Sequence, residues 1–163
     1  IETMWDSLYP YYLWIENTQI GHGIRESNWI FSITEVFHLF GITVFLGTVL
    51  ILALRQFGAV LQNKSVADVA RVLMPWSMGS LILTVFSGTL LFMSETIKCW
   101  GNVAFRYKTL FFFLAILFQF TTLHRVMRSD EQRFAPLTRR ITAIIAVFLW
   151  FGVAIYGRAV FFF

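Results

Sequence analysis

Four stretches of about 20 residues, each with at most one or two charges, constrain this chain more than any other feature of it. A helix needs ~20 apolar residues to cross ~30 Å of hydrocarbon, and these stretches, about 29–54, 74–96, 107–126 and 141–162, each supply them. Runs such as Val44 to Leu54 and Leu110 to Phe118 do not alternate, so a membrane β-barrel is excluded. The expected fold is an all-α integral membrane four-helix bundle covering 29–163, preceded by an outer-face segment, 1–28. Only 13% of the residues are charged, against about 25% in ordinary soluble domains, and what lies outside the spans is too short for a separate catalytic domain. The single cysteine, Cys99, excludes an internal disulfide framework and a Cys-cluster metal site.

Charge sets the direction of the spans. Arg55, Lys64 and Arg71 follow the first span, and Arg125, Arg128, Arg133, Arg139 and Arg140 follow the third. The opposite side carries only Arg25, Lys98, Arg106 and Lys108. By the positive-inside rule the two basic loops are cytoplasmic and both termini face outward. The net charge of +4 is therefore a topology signal, and nucleic acid is not an expected partner. Residues 1–28 contain no basic, apolar signal-peptide pattern; a few residues are expected to precede Ile1. Trp5, Tyr9, Tyr11, Tyr12 and Trp14 suit the outer headgroup layer, with Pro10 breaking the segment into two short pieces and His22 in an outer loop. Ser65 with Asp68 reads as a helix cap ahead of the second span, Pro75 as a kink, and Thr138 as a cap for the fourth span.

An ionisable residue inside a span costs at least ~2.5 kcal/mol on insertion scales, which makes it a functional candidate. Glu35 and His38 lie roughly 9 and 13 Å below Trp29 at 1.5 Å per residue, on one helix face with Ser32 and Gly41. The second span brings a stripe of Ser77, Ser80, Thr84, Ser87 and Gly88 that ends at Ser94 and Glu95. Lys108 and Arg158 stand near the outer ends of the third and fourth spans. The structural alternative is an internal salt-bridge network of Glu35, His38, Glu95, Lys108 and Arg158 that fixes helix register. Gln119 and Thr122 share a face that can hydrogen-bond a neighbouring helix, and His124 closes the third span at the opposite boundary.

Three chemistries fit these residues. A b-type haem on His38 needs a second ligand from His22 or from Met93, or a five-coordinate iron, because His124 lies ~15 Å deeper. A single metal ion could be held by Glu35, His38 and Glu95, whereas a full di-iron site lacks carboxylates. A quinone could be bound by the His38 and Glu35 pair backed by Lys108 and Arg158. No broken helices or inverted repeats point to a carrier. Bound lipids and other membrane subunits are the expected partners, with the chain acting as a subunit or anchor of a larger redox or metal-dependent complex.

The series Glu35-Val-Phe-His38-Leu-Phe-Gly41, Leu54-Arg55-Gln-Phe-Gly58, Pro75-Trp76, Ser87-Gly88-Thr-Leu-Leu-Phe92, Phe105-Arg-Tyr-Lys108, His124-Arg125 and Trp150 through Gly157-Arg158 resembles an uncharacterised family of bacterial four-helix inner-membrane proteins. In layout these are loosely similar to copper-resistance-D and cytochrome b561-like bundles. The resemblance runs from about Ser27 to the C-terminus, leaving the aromatic segment outside. It implies a bacterial plasma-membrane location and attention to Glu35, His38, Lys108, His124 and Arg158.

Overall fold

The structure, a computed structural model, describes residues 7–123, 125 and 135–160, with the side chains of residues 122 and 123 excepted. Trp5, His124, Arg128, Arg133 and Phe161 to Phe163, together with the side chain of Thr122, lie outside the described residues.

All regular structure among the described residues is helical: α1 (Tyr9–Glu16), α2 (Gln19–Glu26), α3 (Asn28–Phe57), α4 (Val66–Ser94), α5 (Thr96–Gly101), α6 (Val103–Phe118) with a π-helical turn at Gln119–Leu123, and α7 (Pro136–Ala159). Helices α3, α4, α6 and α7 are each long and apolar enough to cross a membrane. Bulky side chains such as Phe40, Ile82, Phe86, Phe113, Leu117, Phe148 and Ile155 point outward along these helices. In water that surface would aggregate; in a bilayer it is the lipid-facing side of a multi-pass membrane protein.

The helix ends show why the elements begin where they do. Ser65 Oγ accepts from the Asp68 amide at 3.0 Å and donates to its carboxylate at 2.7 Å, so α4 starts before the apolar run, as the Ser65 and Asp68 spacing predicts. Helix α4 continues through Pro75. At α7 the expectation of a Thr138 cap is corrected: the cap position is Ala135 and Pro136 opens the helix, because a fixed φ and a missing N–H suit the first turn. Likewise Pro10 does not divide the N-terminal segment. It sits in the first turn of α1, and the division falls at Asn17 and Thr18, where the Thr18 hydroxyl accepts from the Gly21 amide at 3.3 Å. His22 lies on helix α2, not in a loop, and faces Glu26 at 3.3 Å on the exposed side.

Packing joins two helical hairpins, α3 with α4 and α6 with α7, along the contact between α3 and α7. The core lies on the basic-loop side of the bundle, where Phe45, Val49, Leu52, Val69, Ala70, Leu81, Ala115, Ala146 and Trp150 are buried together. Trp150 meets Phe45 edge-on at 4.4 Å, and its indole N–H donates to Gln119 Oε1 at 3.3 Å across the α6–α7 contact. The expectation that Gln119 bonds a neighbouring helix is thus met, at the π turn.

The other end is closed by α1, α2 and α5. Tyr9 packs edge-on to Trp100 and Tyr12 to Phe92, while Glu16 accepts from the Ile97 amide at 2.6 Å and pairs with Arg25 at 2.5 Å. Tyr9 and Tyr12 are therefore tied to the bundle; Tyr11 and Trp14 remain exposed and are the rings free to meet headgroups. Asn102, which sequence reasoning passed over, caps α6 by accepting from the Phe105 amide and donates to the Val160 carbonyl at 3.0 Å, fastening the start of α6 to the end of α7.

Cys99 of α5 is buried within this cap, and burial pushes its thiol up to about 11, with Lys108 opposing the shift and Glu95 and Glu16 adding to it. Two units above an ordinary thiol, its thiolate fraction at pH 8 is lower by about a hundredfold. Maleimide labelling of the folded protein at pH 8 is expected to be slower than after denaturation by at least that factor. Equal labelling rates would show that the cap is open.

Candidate functional site

The half of the α3–α4 contact nearer the α1–α2–α5 cap is built from small residues. A Cβ on Gly41 would lie 2.6 Å from Thr84 Oγ1 and 3.2 Å from the backbone of Ser80 and of Thr84, so only glycine allows this approach. One turn outward, the His38 ring rests on Gly88, where a Cβ would lie 2.8 Å from Cε1. The serines of the predicted stripe do line this contact, for Ser77, Ser80, Ser87 and Ser94 are buried. Three of these hydroxyls are satisfied within their own helix, Ser80 donating to the Trp76 carbonyl at 2.6 Å, Ser87 to Leu83 at 2.6 Å and Ser94 to Leu91 at 2.8 Å, whereas the buried Thr84 Oγ1 of the same stripe has no hydrogen-bond partner. The stripe is thus a close-packing surface and not a polar channel.

His38 is the exception, because it hydrogen-bonds across the contact. Its Nδ1 lies 3.0 Å from the Thr84 carbonyl oxygen and 3.1 Å from Ser87 Oγ. A carbonyl can only accept, so Nδ1 carries the proton and donates. In the neutral ring Nε2 then holds a lone pair. An imidazole held through Nδ1–H to a backbone carbonyl is also how proteins orient histidines that bind a metal or a donor through Nε2.

The remaining candidates separate. Glu35 and His38 are half-buried, whereas Ser32 on the same face is exposed. Among the described residues Glu35 has no ion pair or hydrogen-bonding side chain. Lys108 of α6 is half-buried, with its stem against Gly157 of α7, where a Cβ would lie 3.5 Å from Cε. Glu95 pairs with Lys98 in the cap, and Arg158 is exposed. The network of Glu35, His38, Glu95, Lys108 and Arg158 is therefore not formed as one cluster. Met93 sits about 7.5 Å along the helix axis beyond Gly88, and its backbone carbonyl is covered by Gly21, whose Cβ would approach it to 2.5 Å.

Among the described residues no group of three or more His, Cys, Asp or Glu side chains is placed to hold a metal ion, so the trio Glu35, His38 and Glu95 is not assembled. The carboxylate of Glu95 is drawn to Lys98 within its own short turn. For a haem, His38 fits the part of one axial ligand, but His22 is turned to Glu26 on α2. What the described site offers is one oriented imidazole.

A family model of unknown function, DUF6644, matches residues 11–163. The chain belongs to this family. The match takes in most of α1 and all of α2, so the aromatic segment from Tyr11 onward is part of the family unit, although the sequence resemblance began only near Ser27. Neither the curated proteins nor the solved structures contain a match to the chain.

Proposed function

We propose that this DUF6644 member is an integral subunit or anchor of a larger redox assembly in the bacterial inner membrane, with both termini on the periplasmic side. Its partners are other membrane subunits and the surrounding lipid. Its own share of the chemistry is a binding site for a quinone headgroup, centred on His38. The observation that carries this reading is the 3.0 Å bond from His38 Nδ1 to the Thr84 carbonyl, which presents Nε2 as an acceptor in an apolar region. A quinol hydroxyl is the matching donor, and the Lys108 ammonium supplies a donor for a quinone oxygen. The excess of Arg and Lys in the loops after α3 and α6 supports the orientation.

Gentle solubilisation tests the reading. The chain is expected to co-purify with redox-active membrane proteins and with extractable quinone. A reduced-minus-oxidised spectrum with a haemochrome assay on the isolated chain separates the runner-up, since an α-band belonging to this chain would assign His38 to a haem instead. A lone, quinone-free chain from native membranes would refute the proposal.

A further inference from the structure

At the opposite end of the bundle from His38, a cavity of about 250 Å³ is lined by Arg55, Gln56 and Gly58 of the α3 terminus, Val66 of α4, and Pro136, Arg139 and Arg140 of α7. Its shape follows from local structure. Gly58 takes φ 76° and closes α3, with its amide and that of Ala59 bonded back to the Arg55 and Leu54 carbonyls at 3.0 Å; this turns the chain sharply toward α4 and leaves the space open. Pro136 starts α7 at the rim, which brings two consecutive arginines to the same opening.

Gln56 in this wall is a buried polar group that the packing does not explain. It is only 8% exposed, yet neither its amide nitrogen nor its carbonyl oxygen has a hydrogen-bond partner. Leaving both ends of a buried amide unmet costs roughly 1–3 kcal/mol each, and an apolar side chain would fill the place without that cost. Among the described residues the cavity wall contains the guanidinium groups of Arg55, Arg139 and Arg140 and no carboxylate, and Arg55 Nε donates to the Lys64 carbonyl at 2.7 Å. From Trp29 to Gln56 the helix rises about 40 Å, so with Trp29 at one edge of the ~30 Å hydrocarbon layer the cavity falls among the headgroups of the far leaflet.

We infer that this cavity is a phosphate-binding site for a ligand that also carries a hydroxyl. Guanidinium groups and the Gln56 NH₂ donate to the phosphate oxygens, and the Gln56 carbonyl accepts from the hydroxyl. A phosphodiester headgroup with free hydroxyls, as in phosphatidylglycerol, meets both demands at this depth; a free phosphate species shares the chemistry.

The test uses the full chain in uncharged detergent, titrated separately with dioctanoyl-phosphatidylglycerol, dioctanoyl-phosphatidylcholine and inorganic phosphate, read by native mass spectrometry and thermal unfolding. Saturable 1:1 binding of the glycerol lipid is expected, and not of the choline lipid, with affinity reduced about tenfold by Arg140→Gln, an exposed position whose loss leaves the fold intact. Gln56→Leu is expected to weaken the same binding while raising the ligand-free unfolding temperature, a pairing that a merely buried amide would not produce. Binding of inorganic phosphate with the same dependence on Arg140 and Gln56 would keep the site and assign it to a soluble phosphate. Binding of neither, or binding unchanged in both variants, would overturn the inference.

Discussion

Gly88→Val is expected to remove His38-dependent function as completely as removing His38 itself. The new Cβ would sit 2.8 Å from Cε1 and 3.3 Å from Nδ1 of the ring, and branching adds two further methyl groups. The ring must leave the Thr84 carbonyl, or α3 must move away from α4, and overpacking of this kind costs typically 1–3 kcal/mol. Gly79→Ala in the same helix is the control, since a Cβ there meets nothing within 4 Å. Quinone retained per chain is the readout: near background for Gly88→Val, unchanged for Gly79→Ala. Full retention in Gly88→Val would mean that the ligand does not depend on where Gly88 seats the ring.

Trp150→Ala is expected to have the largest effect on stability. The side chain is 4% exposed, meets Phe45 at 4.4 Å and Phe112 at 6.3 Å, and satisfies the buried Gln119 amide oxygen. Truncating a buried Trp costs about 3–5 kcal/mol, and here it also strands Gln119 at the π turn. Trp150→Phe keeps most of the packing and gives up the hydrogen bond, so its cost is about 1 kcal/mol. Unfolding in mixed micelles by a graded denaturing detergent ranks the variants, and equal loss in both would assign the whole effect to the Gln119 bond.

How far the chain could be read without coordinates depended on the range of the interaction. The four spans are properties of local runs and their lengths, and the Ser65 cap is a contact between residues three apart, so both were visible. The i, i+3 relation of Glu35 and His38 was visible too, but not their different fates. His38 finds a backbone carbonyl on α4, an acceptor that no residue identity advertises, while Glu35 gains no such partner among the described residues. Glu95 reads from sequence as a candidate ligand at the shallow end of a span drawn to 96; the helix stops at Ser94, and the following turn delivers Lys98 to it. Gln56 drew no attention because an amide beside Arg55 near a helix end is ordinary. Its significance rests on burial by α4 and α7, which only the assembled fold reveals.

The central claim, that His38 is a ligand-binding imidazole in an otherwise architectural subunit, is tested most directly by comparing native assemblies carrying wild-type and His38→Ala chains for composition and for quinol-driven electron transfer. The expected result is an assembly of unchanged subunit content whose electron transfer falls by two orders of magnitude or more, about 2.7 kcal/mol at 1.36 kcal/mol per decade. An intact assembly with undiminished electron transfer would contradict the account and leave His38 as a packing residue on Gly88.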